Sequence, residues 1–161
     1  LLVDNTAGVL SRISGLFSRR GYNIESITAG VTADPRFTRI TIVASGNDDI
    51  LEQIEKQLRK LTDVRSVREL KPENSVYREL CLIKVEVSPE DIQNVISLVG
   101  VYHATIEDLT ENSLMIVITE NQNKIDTFIN VLTKADYKIL EVARTGIAGL
   151  MRGSDEVIWL D

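Results

Sequence analysis

The chain has 161 residues, 43% of them apolar and 26% charged, which is enough to bury one medium core or two small ones and is not the composition of a disordered chain. A formal net charge of −6 leaves no general basic field for a phosphate backbone, and an aromatic content of 5% is low for a sheet that stacks bases, so no nucleic-acid partner is expected. Cys81 is the sole cysteine, which rules out an intrachain disulfide or a cysteine-based zinc cluster, and no apolar run approaches about 18 residues, so a cytoplasmic setting without a membrane span or signal peptide is expected.

Leu1-Leu2-Val3 reads as the tail of a first strand whose earlier residues are expected to be missing from this sequence. A polar loop, Asp4-Asn5-Thr6-Ala7-Gly8, leads into a helix marked by Val9, Leu10, Ile13, Leu16 and Phe17, with Gly21 as its C-terminal stop. At such a helix start the first backbone N–H groups, around Ala7, Gly8 and Val9, lack intrahelical acceptors and carry the positive end of the dipole. That suits a small carboxylate, and Gly8 has no Cβ to block its approach. On spacing alone, a simple helix cap explains the same residues. Arg19-Arg20 is read as a solvated helix end where cations complement the dipole.

Tyr22 to Thr32 and Phe37 to Ala44 form an expected strand pair, broken at Ala33-Asp34-Pro35. Ser45-Gly46-Asn47-Asp48-Asp49 has turn and cap chemistry, and Ile50, Leu51, Ile54, Leu58 and Leu61 mark a second helix. With Val64 to Leu70 as a closing strand, the order is βαββαβ, the ferredoxin-like arrangement.

The aperiodic, polar stretch around Lys71-Pro72-Glu73-Asn74-Ser75 is the best linker. The series then repeats. Glu79 to Val87 alternates, with Cys81 and Ile83 on one side and Leu80 and Leu82 on the other. Ser88-Pro89-Glu90-Asp91 reads as a helix start, with Ile92, Val95, Ile96 and Val99 as the stripe. His103 to Leu109 and Leu114 to Thr119 pair. Ile125, Phe128, Ile129 and Leu132 line a helix, and Lys138 to Arg144 closes as a strand. The expected fold class is therefore α+β, two consecutive ferredoxin-like βαββαβ domains: an N-terminal domain over 1–70, a linker over 71–76 and a C-terminal domain over 77–161. Each sheet is expected to leave one face uncovered, where apolar residues such as Leu80 and Leu82 suggest association, at least as a dimer. The apolar, glycine-rich segment from Thr145 to Gly153 either docks on a partner or packs on its own domain, and Trp159 is similarly undecided.

Catalytic chemistry is not visible. The single His103 and single Cys81 lie far apart and read as structural, and no metal-binding, phosphate-loop or dinucleotide fingerprint occurs. No catalytic and no metal-ligating residue is assigned. Asp34 and Asp48-Asp49 are read as turn and cap residues.

The run D-N-T-A-G-V-L-S-R-I-S-G-L-F-S-R-R-G-Y-N-I-E-S-I resembles the opening of the small, regulatory subunits of acetohydroxyacid synthase, also called acetolactate synthase, a family built on an ACT domain. The likeness continues through Asp34 to Ile42, Leu51 to Leu58 and Glu141 to Gly146. It implies a non-catalytic subunit that binds and activates a large catalytic subunit and confers feedback inhibition by valine or another branched-chain amino acid. It also implies an effector pocket between two copies of the chain: Asn5, Ala7, Gly8 and Val9 before the first helix of one copy, Asn23 and Ile24 at the second strand of its mate. Gly30 stands where the likeness leads one to expect a small side chain such as alanine. Thiamine diphosphate, magnesium and FAD are implied for the large subunit and no cofactor for this chain. Two alternatives stay open: a free-standing ACT sensor acting on a different partner, and a small enzyme on the same scaffold.

Overall fold

A computed structural model describes residues 1–153; Trp159 lies outside the described residues. The chain divides into two compact units, one of Leu1–Val76 with the described residues from Ile147 onwards, the other of Tyr77–Gly146.

The first unit contains β1 (Leu2–Asp4), α1 (Val9–Arg20), β2 (Ile24–Val31), β3 (Phe37–Ala44), α2 (Asp48–Leu58) and β4 (Val64–Ser66), followed by a 3-10 turn at Pro72–Asn74. Its sheet runs β2-β3-β1-β4, with antiparallel pairs throughout. Four of the five residues expected in the stripe of α1 are buried, Val9, Ile13, Leu16 and Phe17, packed with Val3, Ile40, Ile54, Leu58 and Val67, whereas Leu10, next to Val9 on the helix, turns outward and is 47% exposed. Helix α1 stops where the sequence suggests. Gly21 takes the left-handed conformation at φ 67, its N–H donates to the Ser18 carbonyl, and the Tyr22 N–H donates to that of Phe17.

Helix α2 shows how local chemistry sets a start. Asn47 Oδ1 accepts from the Ile50 N–H at 3.0 Å, and Asp48 and Asp49 occupy the first turn, where acids suit the dipole. Replacing Asn47 by alanine is expected to cost about 1 kcal/mol in urea denaturation; an unchanged midpoint would show that the cap contributes nothing.

The second unit contains β5 (Ser75–Glu86) from Tyr77 on, α3 (Ile92–Val101), β6 (Thr105–Leu109), β7 (Ser113–Glu120), α4 (Gln122–Lys134) and β8 (Ile139–Arg144). The strand order is β6-β7-β5-β8, and β9 (Ala148–Met151) also pairs with β5, whose first two residues belong to the first unit. Cys81, Ile83 and Val85 on β5 meet Phe128 and Leu132 on α4 and Val95 and Val99 on α3 in a core where each is almost wholly enclosed. Both units are thus βαββαβ sandwiches of one sheet under two helices, as the repeated pattern suggests.

Several boundaries differ from the sequence reading. Ser88 to Asp91 does not open α3. Ser88 Oγ bonds Asp91 Oδ2 at 2.9 Å and the Asp91 N–H donates to the Ser88 carbonyl, making a turn that delays the helix to Ile92. His103 does not begin β6; at φ 54 it turns the chain after α3, and β6 starts at Thr105. Strand β4 ends at Ser66 instead of running to Leu70. The expected linker holds the 3-10 turn and the start of β5, and the described residues from Ile147 group with the first unit, not the second.

On the second sheet, Leu80 and Leu82 face away from the core and are each 37% exposed. The corresponding face of the first sheet is not bare: Leu2, paired with Arg39 on the side opposite Val3 and Ile40, is fully buried.

One buried ion pair closes the second unit. Glu79, 5% exposed, accepts from Arg144 Nε at 3.1 Å, Arg144 Nη2 at 2.7 Å and the Gly146 N–H at 3.2 Å. Arg144 Nη1 also reaches Asp126 on α4 at 2.6 Å. These acidic partners hold the Arg144 guanidinium firmly in its charged form, its pKa raised first of all by the bond to Glu79.

Candidate functional site: the loop before the first helix

The loop between β1 and α1 is tied down on two sides. At its start, the Asp4 carboxylate takes two bonds from Arg65 in the middle of β4, one of them 2.7 Å from Nε. Next, the Asn5 N–H donates to the Arg36 carbonyl at 2.7 Å, Asn5 Nδ2 donates to the Pro35 carbonyl at 2.9 Å, and Asn5 Oδ1 accepts from Thr38 Oγ1 at 3.2 Å. These bonds fasten the loop to the β2–β3 turn, which Asp34 shapes by accepting from the Arg36 N–H at 3.0 Å. The Arg36 guanidinium on Asp34 holds that carboxyl below the usual range.

Gly8 is the N-cap of α1, at φ 85, a conformation that costs an L-residue with a side chain roughly 1–2 kcal/mol. The first helical residue is therefore Val9. The first-turn N–H groups without intrahelical acceptors begin there and run towards Ser11, a residue or two later than the sequence suggests. Ala7 sits in the turn just before, exposed like Asn5 and Gly8, while the Val9 side chain enters the core. No side chain caps α1 and no acid stands in its first turn, in contrast to α2.

Two residues at this loop escaped the sequence reading. Arg12, one turn into α1, folds back so that its Nη1 would stand 3.0 Å from a Cβ built on Gly8. Its Nε donates to Asp63 Oδ2 at 2.7 Å, and the Asp63 carbonyl accepts the Asp4 N–H at 2.9 Å. That bond from Arg12, above all, holds the Asp63 carboxyl below its ordinary pKa, with Thr6 adding a smaller contribution. The four-residue step from Gly8 to Arg12 is legible as one helical turn. Its partner lies 51 residues away and gives no local signal.

Asn23 and Ile24 lie at the other end of α1. Asn23 is exposed just after the C-terminal stop, and Ile24 is half-buried against the first core. The 12 residues of α1 span about 18 Å, so one chain does not bring Asn23 to Gly8. Gly30 pairs with Arg39, and nothing lies within 4 Å of where its Cβ would be, so the backbone leaves room there for alanine. Cys81 is buried, and burial pushes its thiol pKa up, the opposite of a reactive thiolate. Among the described residues, no three His, Cys, Asp or Glu side chains group as a metal site, and no helix is long and apolar enough to cross a membrane.

Comparisons with known proteins agree with this fold. Residues 1–66 match the family described as the AHAS small subunit-like ACT domain, and residues 78–153 match the small subunit of acetolactate synthase. A probable acetolactate synthase small subunit of Archaeoglobus fulgidus is 43% identical over 96% of this chain and 95% of that protein. The acetolactate synthase isozyme 3 small subunit of Escherichia coli is 42% identical over 95% of this chain and 93% of its own length. The crystal structure of an acetolactate synthase small subunit from Thermotoga maritima superposes with a TM-score of 0.86 at 40% identity, covering 96% of this chain and 95% of that one. With both halves matched in order and the whole fold superposed, the chain belongs to the acetolactate synthase small-subunit family, its first unit an ACT domain.

Proposed function

We propose that this chain is the regulatory partner of a large catalytic acetolactate synthase subunit, which it binds and activates, and that valine reverses the activation. Family membership across nearly the full length supports the partner. The left-handed Gly8 cap at the uncapped start of α1 is the observation that carries the effector site. In this reading the pocket is shared by two copies of the chain: Asn5, Ala7, Gly8 and Val9 of one copy receive the carboxylate and ammonium, and Asn23 with Ile24 of the other completes it. The separation of these groups along α1 supports a shared pocket. The carbon–carbon bond chemistry belongs to the large subunit, together with thiamine diphosphate, magnesium and FAD, and this chain needs no cofactor of its own.

The energies suffice. A charge-assisted hydrogen bond contributes roughly 1.5–3 kcal/mol and the helix terminus about 1 kcal/mol more. Valine, with about eight non-hydrogen atoms, can reach micromolar dissociation within the limit of about −1.5 kcal/mol per atom. A coupling of about 1–3 kcal/mol between effector and large subunit is enough for graded inhibition.

The test is to add the purified chain to an acetolactate synthase large subunit with and without valine. Stimulation reversed by valine is expected; no stimulation would refute the partner, and stimulation blind to valine would refute the effector. In calorimetry, Asn23→Ala is expected to weaken valine about tenfold, and equal heats for both proteins would remove Asn23 from the site.

A further inference from the structure

We infer that Arg12 reads the carboxylate of the amino-acid effector and that Asp63 is the residue that positions it. This inference rests on the effector site proposed above and deepens it.

A guanidinium in the first turn of a helix faces the positive end of the dipole, an unfavourable place unless an anion accompanies it. Asp63 supplies one carboxylate, but it engages only Nε, at 2.7 Å. A guanidinium has five N–H donors in a planar fork. The terminal amino groups of Arg12 have no hydrogen-bond partner among the described residues, and Nη1 stands over Gly8. The side chain is 47% exposed, so solvent and solutes reach it, while Asp63, 19% exposed, is the more enclosed member. Beside them, Arg65 and Asp4 form a neutral pair. Two amino groups, with four N–H donors between them, are therefore held ready at the spot where an uncapped helix start presents its backbone N–H groups. A carboxylate there receives a fork of guanidinium donors on one side and amides on the other, the geometry that binds carboxylates most strongly. Asp63 keeps the fork from swinging into solvent.

This arrangement reads the acid function in particular, so the experiment compares valine with valinamide, which lacks the carboxylate. Both are titrated calorimetrically into the full chain as wild type, Arg12→Gln and Asp63→Asn, with folding checked by thermal melts. The wild type is expected to prefer valine by at least about tenfold. Arg12→Gln is expected to lose most of that preference, weakening valine about tenfold and leaving valinamide unchanged. Asp63→Asn, which keeps Arg12, is expected to weaken valine by about threefold. If the wild type binds neither ligand, the effector site itself is wrong and this inference goes with it. If the wild type binds valine and Arg12→Gln binds it equally well, or more tightly, Arg12 is a bystander or a plug and only this inference falls. Equal weakening of both ligands also overturns it, because a purely structural role affects the two alike.

Discussion

Replacing Arg144 by alanine is expected to destabilise the second unit by about 3–5 kcal/mol. Glu79 is enclosed, and among the described residues its carboxylate has Arg144 as its cationic partner and one backbone donor besides, the Gly146 N–H. Without the guanidinium, a buried charge keeps one neutral hydrogen bond and must be desolvated, protonated or hydrated by opening the end of β8. The cost comes from the charge left behind, so Asp126→Ala, which removes the more exposed partner of the same guanidinium, is expected to cost less than about 1 kcal/mol. Urea denaturation followed by far-ultraviolet circular dichroism measures both. Equal and small losses for the two variants would show that Glu79 is hydrated in solution and that the pair holds little together. The double variant Glu79→Leu with Arg144→Met is expected to recover most of the loss, since apolar residues of similar size remove the penalty with the pair.

Gly8→Ala is expected to weaken valine by about tenfold or more and to lower stability by about 1–2 kcal/mol. The two effects have separate causes. The stability loss follows from φ 85 at the N-cap, which an L-residue adopts only under strain. The binding loss follows from the new methyl group: its carbon would lie 3.0 Å from Arg12 Nη1, at the place where the effector is proposed to approach. The guanidinium end can shift by a few tenths of an ångström, so the fold tolerates the methyl group while the site loses its opening. Calorimetry with valine and a thermal melt on the same samples separate the two. A melt shifted as expected with unchanged valine heats would place the effector elsewhere.

Much of this fold is legible along the chain because the relevant physics is short-range. Most of the stripe of α1, the left-handed glycine that stops it, the start of α2 within Ser45 to Asp49 and the full span of β3 depend on residues within about one helical turn or one hairpin, although the cap of α2 falls on Asn47 and not on Asp48-Asp49. The misses share a cause as well. Ser88 to Asp91 carries good helix-start chemistry, yet a side-chain bond between its two ends turns the chain first. His103 looked like a strand residue until the turn after α3 placed it at positive φ. The proposed site divides in the same way: Asn5, Gly8 and Asn23 are named as candidates by a resemblance carried by a contiguous run of letters. Arg12 stands inside that run without showing the contact it makes, because its partner Asp63 lies 51 residues on, in the turn before β4.

The sequence by itself determined the two βαββαβ units, the stop of α1 and the family, since periodicity, capping and motif are written in neighbouring residues. The tertiary structure alone decided that Arg12 meets Asp63 and that Glu79 meets Arg144, 51 and 65 residues apart. It also decided that Leu2 is buried on the helix-free face of its sheet while Leu80 and Leu82 on the second remain half-open. Such pairings join segments far apart in the chain and depend on which elements come to lie side by side and which face a neighbour covers, and no preference within one segment encodes either.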